Sequence, residues 1–148
     1  MPVASKRKLF VNLACEDLQR SVEFFTALGF TFDPHFTDHS ATCMLIGQDA
    51  YVMLLTRERF AEFAPRPLCD SKQRVETLLC VSADTREGVD EMVRTAVSAG
   101  GAAVGAAQES SFMYGRSFQD PDGHGWEVMW MDPAFVTEAP GAVAATAG

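Results

Sequence analysis

Positive charge is scarce in this chain: 12 Lys and Arg stand against 20 Asp and Glu in 148 residues, a formal net charge of −8. Such a surface repels phosphate backbones and gives up the counterion release that drives nonspecific nucleic-acid binding, so nucleic acid is not an expected partner. Also missing is any run near the roughly 18 apolar residues that a membrane span requires, and no membrane association is expected. The opening MPVASKRKLF has three basic residues but then passes into an alternating segment instead of an apolar stretch. No secretory signal is read there, and the expected compartment is the cytoplasm. The four cysteines, Cys15, Cys43, Cys69 and Cys80, have no CxxC spacing and no His at ligand spacing, which indicates reduced core or loop thiols instead of a zinc or redox motif. There is no glycine-rich phosphate loop, and no Ser or Cys has a nearby His and acid in the arrangement of a catalytic triad.

What is present is an ordinary soluble composition, 47% hydrophobic and 22% charged, in a length that suits one domain with its own core. LFVNLA (9–14) alternates, with Leu9, Val11 and Leu13 on one face and Phe10, Asn12 and Ala14 on the other. That is a strand period, in which one face packs and the other lines something. EDLQRSVEFFTALGF follows with Asp17 as cap, Leu18, Val22, Phe25 and Leu28 at helical spacing, and Gly29 as stop. FTFDPHFTD, ATCMLIG and YVMLLT read as three short strands separated by turn residues.

From Glu76 the order starts again. ETLLCVS is strand-like. A helix follows with Asp84 or Thr85 as cap, Val89, Val93, Ala96 and Val97 as its buried stripe, and Gly100 as stop. AAVGAA, FMYGRSFQ and GWEVMWM supply three more strands, the last two joined by the DPDG turn (120–123). Asp17 then corresponds to Asp84, Gly29 to Gly100, and AYVMLL to GWEVMW, the signature of an internal duplication. The expected architecture is α+β, two βαβββ modules in a single domain over 1–132. The modules span about 8–56 and 76–131, and the linker 57–75 carries one helical turn around Phe60 to Phe63. The Ala-, Gly- and Pro-rich segment 133–148 is expected to be mobile.

Two βαβββ units, the EDLQRSVEFFTALGF helix, and the runs FVNL, FMYGRSFQDPDGH and WEVMWMD together resemble the vicinal oxygen chelate superfamily. That superfamily includes glyoxalase I, bleomycin- and fosfomycin-resistance proteins and extradiol dioxygenases; the resemblance is nearest to an uncharacterised branch named "predicted lactoylglutathione lyase". It implies that the strands of each module curl into a cup. In metal-using members a divalent ion (Ni, Zn, Mn or Fe) is held by His, Gln or Glu from the first strand of each module plus a Glu from the last strand. Glu127 falls on that last position, while counting back from the helix caps puts the other two near Phe10 and Thr77, which are not usual ligands. The implied reading is a small-molecule binder of bleomycin-resistance type with no complete metal triad and no cofactor. The alternative is a divergent metal-dependent lyase or isomerase of the lactoylglutathione lyase type, and in either case the resemblance implies a homodimer.

Glu127 is the residue that asks for a reason, since a carboxylate between Trp126 and Val128 is costly if buried unpaired. Three roles stay open: a ligand-facing group, a hydrogen-bonded structural group or a metal ligand. Asn12 is either a satisfied amide or a cavity contact. Arg116 and Tyr114, alternating along their strand, either enter the cup, where Arg116 would pair with Glu127 or an anionic ligand, or form an edge salt bridge. Phe10 and Met129 complete the expected lining. His124, three residues before Glu127, falls on the opposite face of a strand and is not its co-ligand, and His35 and His39 read as solvent-exposed. Phe60 and Phe63 in the linker are candidates for a lid or interface.

Overall fold

The computed structural model describes residues 6–136. The chain forms two compact units, one comprising residues up to 74 together with 121–123, the other 75–120 and the residues from 124 onward.

The first unit runs β1 (Leu9–Cys15), α1 (Leu18–Ala27), β2 (Thr31–Asp33), β3 (Ala41–Leu45), β4 (Ala50–Thr56) and α2 (Arg57–Ala61). Its sheet has the order β1-β4-β3-β2, with β1 parallel to β4 and the other pairs antiparallel. α1 starts where Asp17 accepts a bond from the Arg20 amide and ends at Gly29, whose φ of 98° only glycine adopts cheaply. The helix buries Ser21, Phe24 and Phe25, so its core stripe lies to one side of the Leu18, Val22, Phe25, Leu28 periodicity. Leu18 and Val22 instead line a surface groove of 390 Å³ with Phe32 and Pro34. β2 is only three residues long, because Pro34 opens a single 3₁₀ turn, Pro34–Phe36, capped by the Asp33 carboxylate. α2 begins at once after β4 with Thr56 as cap, earlier than the turn expected around Phe60 to Phe63.

The second unit repeats the plan as β5 (Leu78–Ser82), α3 (Arg86–Ser98), β6 (Ala102–Glu109), β7 (Met113–Gln119) and β8 (Gly125–Met131), followed by a turn of helix, α4 (Pro133–Val136). The sheet order β5-β8-β7-β6 mirrors the first, again with a parallel first pair. This is the expected α+β arrangement of two βαβββ modules. Residues 133–136 form α4, and the rest of the expected tail lies outside the described residues. Thr85, not Asp84, caps α3, its hydroxyl accepting from the Gly88 amide at 2.9 Å. Val89, Val93 and Ala96 are buried, whereas Val97 is half exposed. Among the described residues no helix is long and apolar enough to cross a membrane. All four cysteines are free thiols, Cys15 and Cys43 buried, Cys69 and Cys80 exposed.

Each sheet uses its two faces differently. On β8 the buried residues are Trp126 and Val128, whereas Gly125, Glu127, Met129 and Met131 alternate with them on the other face. The first group shares its face with Phe118, stacked on Trp126 at 6.3 Å, and with the residues that bind α3. In the first unit Leu13, Cys15, Val52 and Leu54 are likewise buried, while Phe10 and Asn12 alternate onto the opposite face and are exposed.

Candidate functional site: the open face of the second sheet

Antiparallel register sets the membership of the face that α3 does not cover. Glu127 pairs with Ser117 on β7 and with Cys80 on β5, so thiol, carboxylate and hydroxyl form one row across three strands. On one side of the row, Leu78 lies over Gly125: a Cβ built on Gly125 would stand 2.7 Å from Leu78 Cδ2, so glycine makes the room that the leucine fills. On the other, Met129 lies over Gly115, its Cε 3.8 Å from where a Cβ would be. Gly125 therefore makes room for one of the two apolar side chains that flank the carboxylate, whereas Met129 would be in ordinary contact with a Cβ at position 115.

Glu127 is half-buried, and among the described residues no donor or cation reaches its carboxylate. The thiol opposite feels it: burial first, and then the Glu127 charge, push the Cys80 pKa up. Cys80 and Met129, which bracket Glu127, also close one end of a groove of 450 Å³ at the C-terminal ends of β5 and β8, with Ser82, Trp130, Met131 and Pro133 further along.

Arg116 does not share this face. It pairs with Val128 and turns toward α3, where its Nη1 bonds the Asp90 carboxylate at 3.1 Å, and Tyr114 Oη donates to the same oxygen at 2.6 Å. Asp90 is held below the usual carboxylate range, mainly by the Tyr114 hydrogen bond and then by Arg116, while the Tyr114 pKa is raised chiefly by the same bond. The ring of Tyr114 also takes the Arg86 guanidinium at 5.6 Å, with Trp130 on it at 4.9 Å. Of the two readings of Arg116, the structure has the salt bridge, and the pairing with Glu127 is replaced by opposite faces. The sequence carried a usable signal: Arg116 and Tyr114 share strand parity with Phe118, whose large apolar ring belongs in the core.

The metal-ligand count also shifts. With Thr85 as the true cap, the residue matching Phe10, seven before its cap, is Leu78; Thr77 precedes β5 altogether. The repeat likewise pairs Met53, cross-strand from Asn12, with Glu127, cross-strand from Cys80, one residue away from the alignment of AYVMLL with GWEVMW. Phe10 and Leu78 offer no donor atom, so at the three matched positions this chain places one carboxylate and two apolar side chains where the resemblance implies a set of hard or borderline ligands.

In the first unit the corresponding face holds an aromatic pair. Phe10 stacks on Tyr51 with centroids 4.8 Å apart and planes 12° apart, Lys8 Nζ donates to Tyr51 Oη at 3.2 Å, and the Asn12 amide makes only a long 3.5 Å bond to the Phe10 carbonyl. Phe63 is exposed under the Arg59 guanidinium, 5.0 Å from its ring. His35 is exposed and bonded to Asp33.

The acids of the DPDG turn are buried and hydrogen-bonded. Asp122 is buried in the first unit, accepting from the Glu16 amide, Arg20 and Ser21, and its carbonyl accepts from the Ser71 hydroxyl at 2.6 Å. Asp120, buried in the second, accepts from the His124 amide and from Trp126 Nε1.

Residues 7–47 match the model of a family described as bleomycin resistance protein-like N-terminal. No curated protein gives a significant match. Among solved structures, a hypothetical protein from S. aureus is similar with 29% identity and a TM-score of 0.72, over 83% of this chain and 92% of that one. A glyoxalase/bleomycin resistance protein/dioxygenase family enzyme from Burkholderia phytofirmans PsJN superposes with a TM-score of 0.69 at 19% identity, covering 82% of this chain and 96% of that one. A glyoxalase-related enzyme from Fulvimarina pelagi gives 0.70 at 20% identity, covering 82% and 85%. Identities this low speak for the fold alone.

Proposed function

We propose that this chain, whose residues 7–47 match a bleomycin resistance protein-like model and whose fold resembles that of glyoxalase/bleomycin resistance protein/dioxygenase structures, is a small-molecule binding protein of bleomycin-resistance type, using the helix-free faces of its sheets without a metal triad. The observation that carries this reading is the state of Glu127: a half-buried carboxylate with no partner among the described residues, flanked by Leu78, Met129 and Cys80. A polar group left unmatched in an apolar surround costs stability, and such a cost is retained where a ligand is to supply the match. Phe10 and Asn12 contribute a second, aromatic surface on the first sheet.

The rival reading is a lyase or isomerase polarising a carbonyl or enolate on a divalent ion. Glu127 favours it, but Phe10 and Leu78 give such an ion nothing to bind, and a single carboxylate beside a protonated thiol makes a poor hard-cation site.

The reading includes a homodimer. β1 and β5 are edge strands, with Leu9, Phe10 and Leu78 at 61%, 50% and 60% exposure, and unpaired apolar edges are ordinarily covered. One preparation, purified without chelators, tests the proposal twice. It is expected to sediment as a dimer at micromolar concentration and to contain Ni, Zn, Mn and Fe far below one equivalent by elemental analysis. A stoichiometric divalent metal would favour the enzyme, and a monomer would remove the edge-pairing argument.

A further inference from the structure

The charge distribution of the second unit says more about the ligand. Its described arginines are Arg86, Arg94 and Arg116. Arg86 lies over the Tyr114 and Trp130 rings and bonds the Ser110 carbonyl, Arg116 is spent on Asp90, and Arg94 is exposed on α3. All three are on the α3 side of the sheet. Among the described residues of these strands, the opposite face carries Leu78, Cys80, Ser117, Glu127, Met129 and Met131, with one carboxylate and no base. A counter-charge for Glu127 therefore has to arrive with the ligand.

We propose that the open face of the second sheet binds an organic cation, an ammonium group on an apolar body, with Glu127 as counter-ion. The inference rests on the reading of that face as a binding surface and specifies its ligand class. Beside Glu127, the Ser117 hydroxyl accepts a second ammonium hydrogen, and the Cys80 thiol is a weak acceptor for a third. The apolar body extends past Cys80 and Met129 into the 450 Å³ groove, along Met131 and Pro133, with Asp84 on the groove's wall. An ammonium satisfies the carboxylate in a way a neutral hydroxyl does not, since ion-assisted hydrogen bonds are about twice as strong as neutral ones. A divalent ion would find one hard donor and two sulfur-bearing neighbours, whereas an organic cation brings its own apolar surface to the methionines and Leu78.

The test uses two probes of one shape, 4-phenylbutylamine and 4-phenylbutanol, titrated calorimetrically into the full-length protein. The amine is expected to bind roughly tenfold or more tighter than the alcohol, the equivalent of one charge-assisted bond. In Glu127→Gln the advantage should fall to about threefold or less, with unfolding still cooperative. A second readout needs no variant: in about 0.5 M salt the advantage in the wild-type protein should shrink, because the pair is only half-buried. Equal affinity for the two probes in the wild-type protein, or an advantage that survives Glu127→Gln, would overturn the cation assignment while leaving a binding face. Absence of binding by either probe up to about 10 mM would overturn both the assignment and the reading beneath it.

Discussion

Asp122→Ala is expected to lower the free energy of unfolding by about 2–4 kcal/mol, read from the midpoint of urea denaturation at unchanged slope. The Asp122 side chain is 6% exposed and its donors include the Glu16 amide at 2.9 Å, Arg20 Nη2 at 3.3 Å and Ser21 Oγ at 3.1 Å. Ser21 is 1% exposed and would lose the carboxylate that its hydroxyl donates to. Arg20, at 41% exposure, would rehydrate, which is why the loss should fall below that for breaking a fully buried ion pair. Asp122→Asn keeps one acceptor oxygen and should lose about half as much. Neighbouring Gly123 reinforces the point, with φ at 86° and a would-be Cβ 2.8 Å from the Ser71 carbonyl. A loss below about 1 kcal/mol for Asp122→Ala would mean that the turn tip is not anchored as described.

Trp126→Ala should cost still more, about 3–5 kcal/mol by the same measurement, as is usual when a buried aromatic is truncated. Trp126 is 1% exposed, lies parallel to Phe118 and donates from Nε1 to Asp120 at 3.1 Å. Trp126→Phe separates the contributions: the ring contact largely survives, while the Asp120 carboxylate, 4% exposed, loses one donor and keeps the His124 amide, for a cost of about 1–3 kcal/mol. The residue also bears on the site. In a strand whose side chains alternate, fixing Trp126 and Val128 inward is what turns Glu127 outward. An alanine variant as stable as the parent would show that β8 is held by something other than this anchor.

Local physics made most of the fold legible. Asp17, Gly29, Thr85 and Gly100 mark helix ends through bonds and dihedrals that span only a few residues, and the doubled order of elements follows from them. The isolation of Glu127 among apolar neighbours could also be read directly, because a strand's alternation puts Trp126 and Glu127 on different faces. What escaped was set by register and by distant partners. The opposition of Ser117 to Glu127 decides that Arg116 faces α3, and that pairing is a property of two strands together. The metal-position count was displaced by one residue because Asp84 and Thr85 are both good caps and only the observed bond to the Gly88 amide chooses between them. Asp122 looked like a turn residue, and its partners Glu16, Arg20 and Ser21 lie about a hundred positions earlier in the chain. No local pattern announces such a bond.

The central claim is that Glu127 serves an organic ligand and not a metal ion. Crystals soaked separately in Ni, Zn and Mn, with data collected at each absorption edge, test it most directly. The account predicts no anomalous peak within coordination distance of the Glu127 carboxylate. A full-occupancy ion there would contradict it and make the metal-dependent lyase or isomerase the better reading.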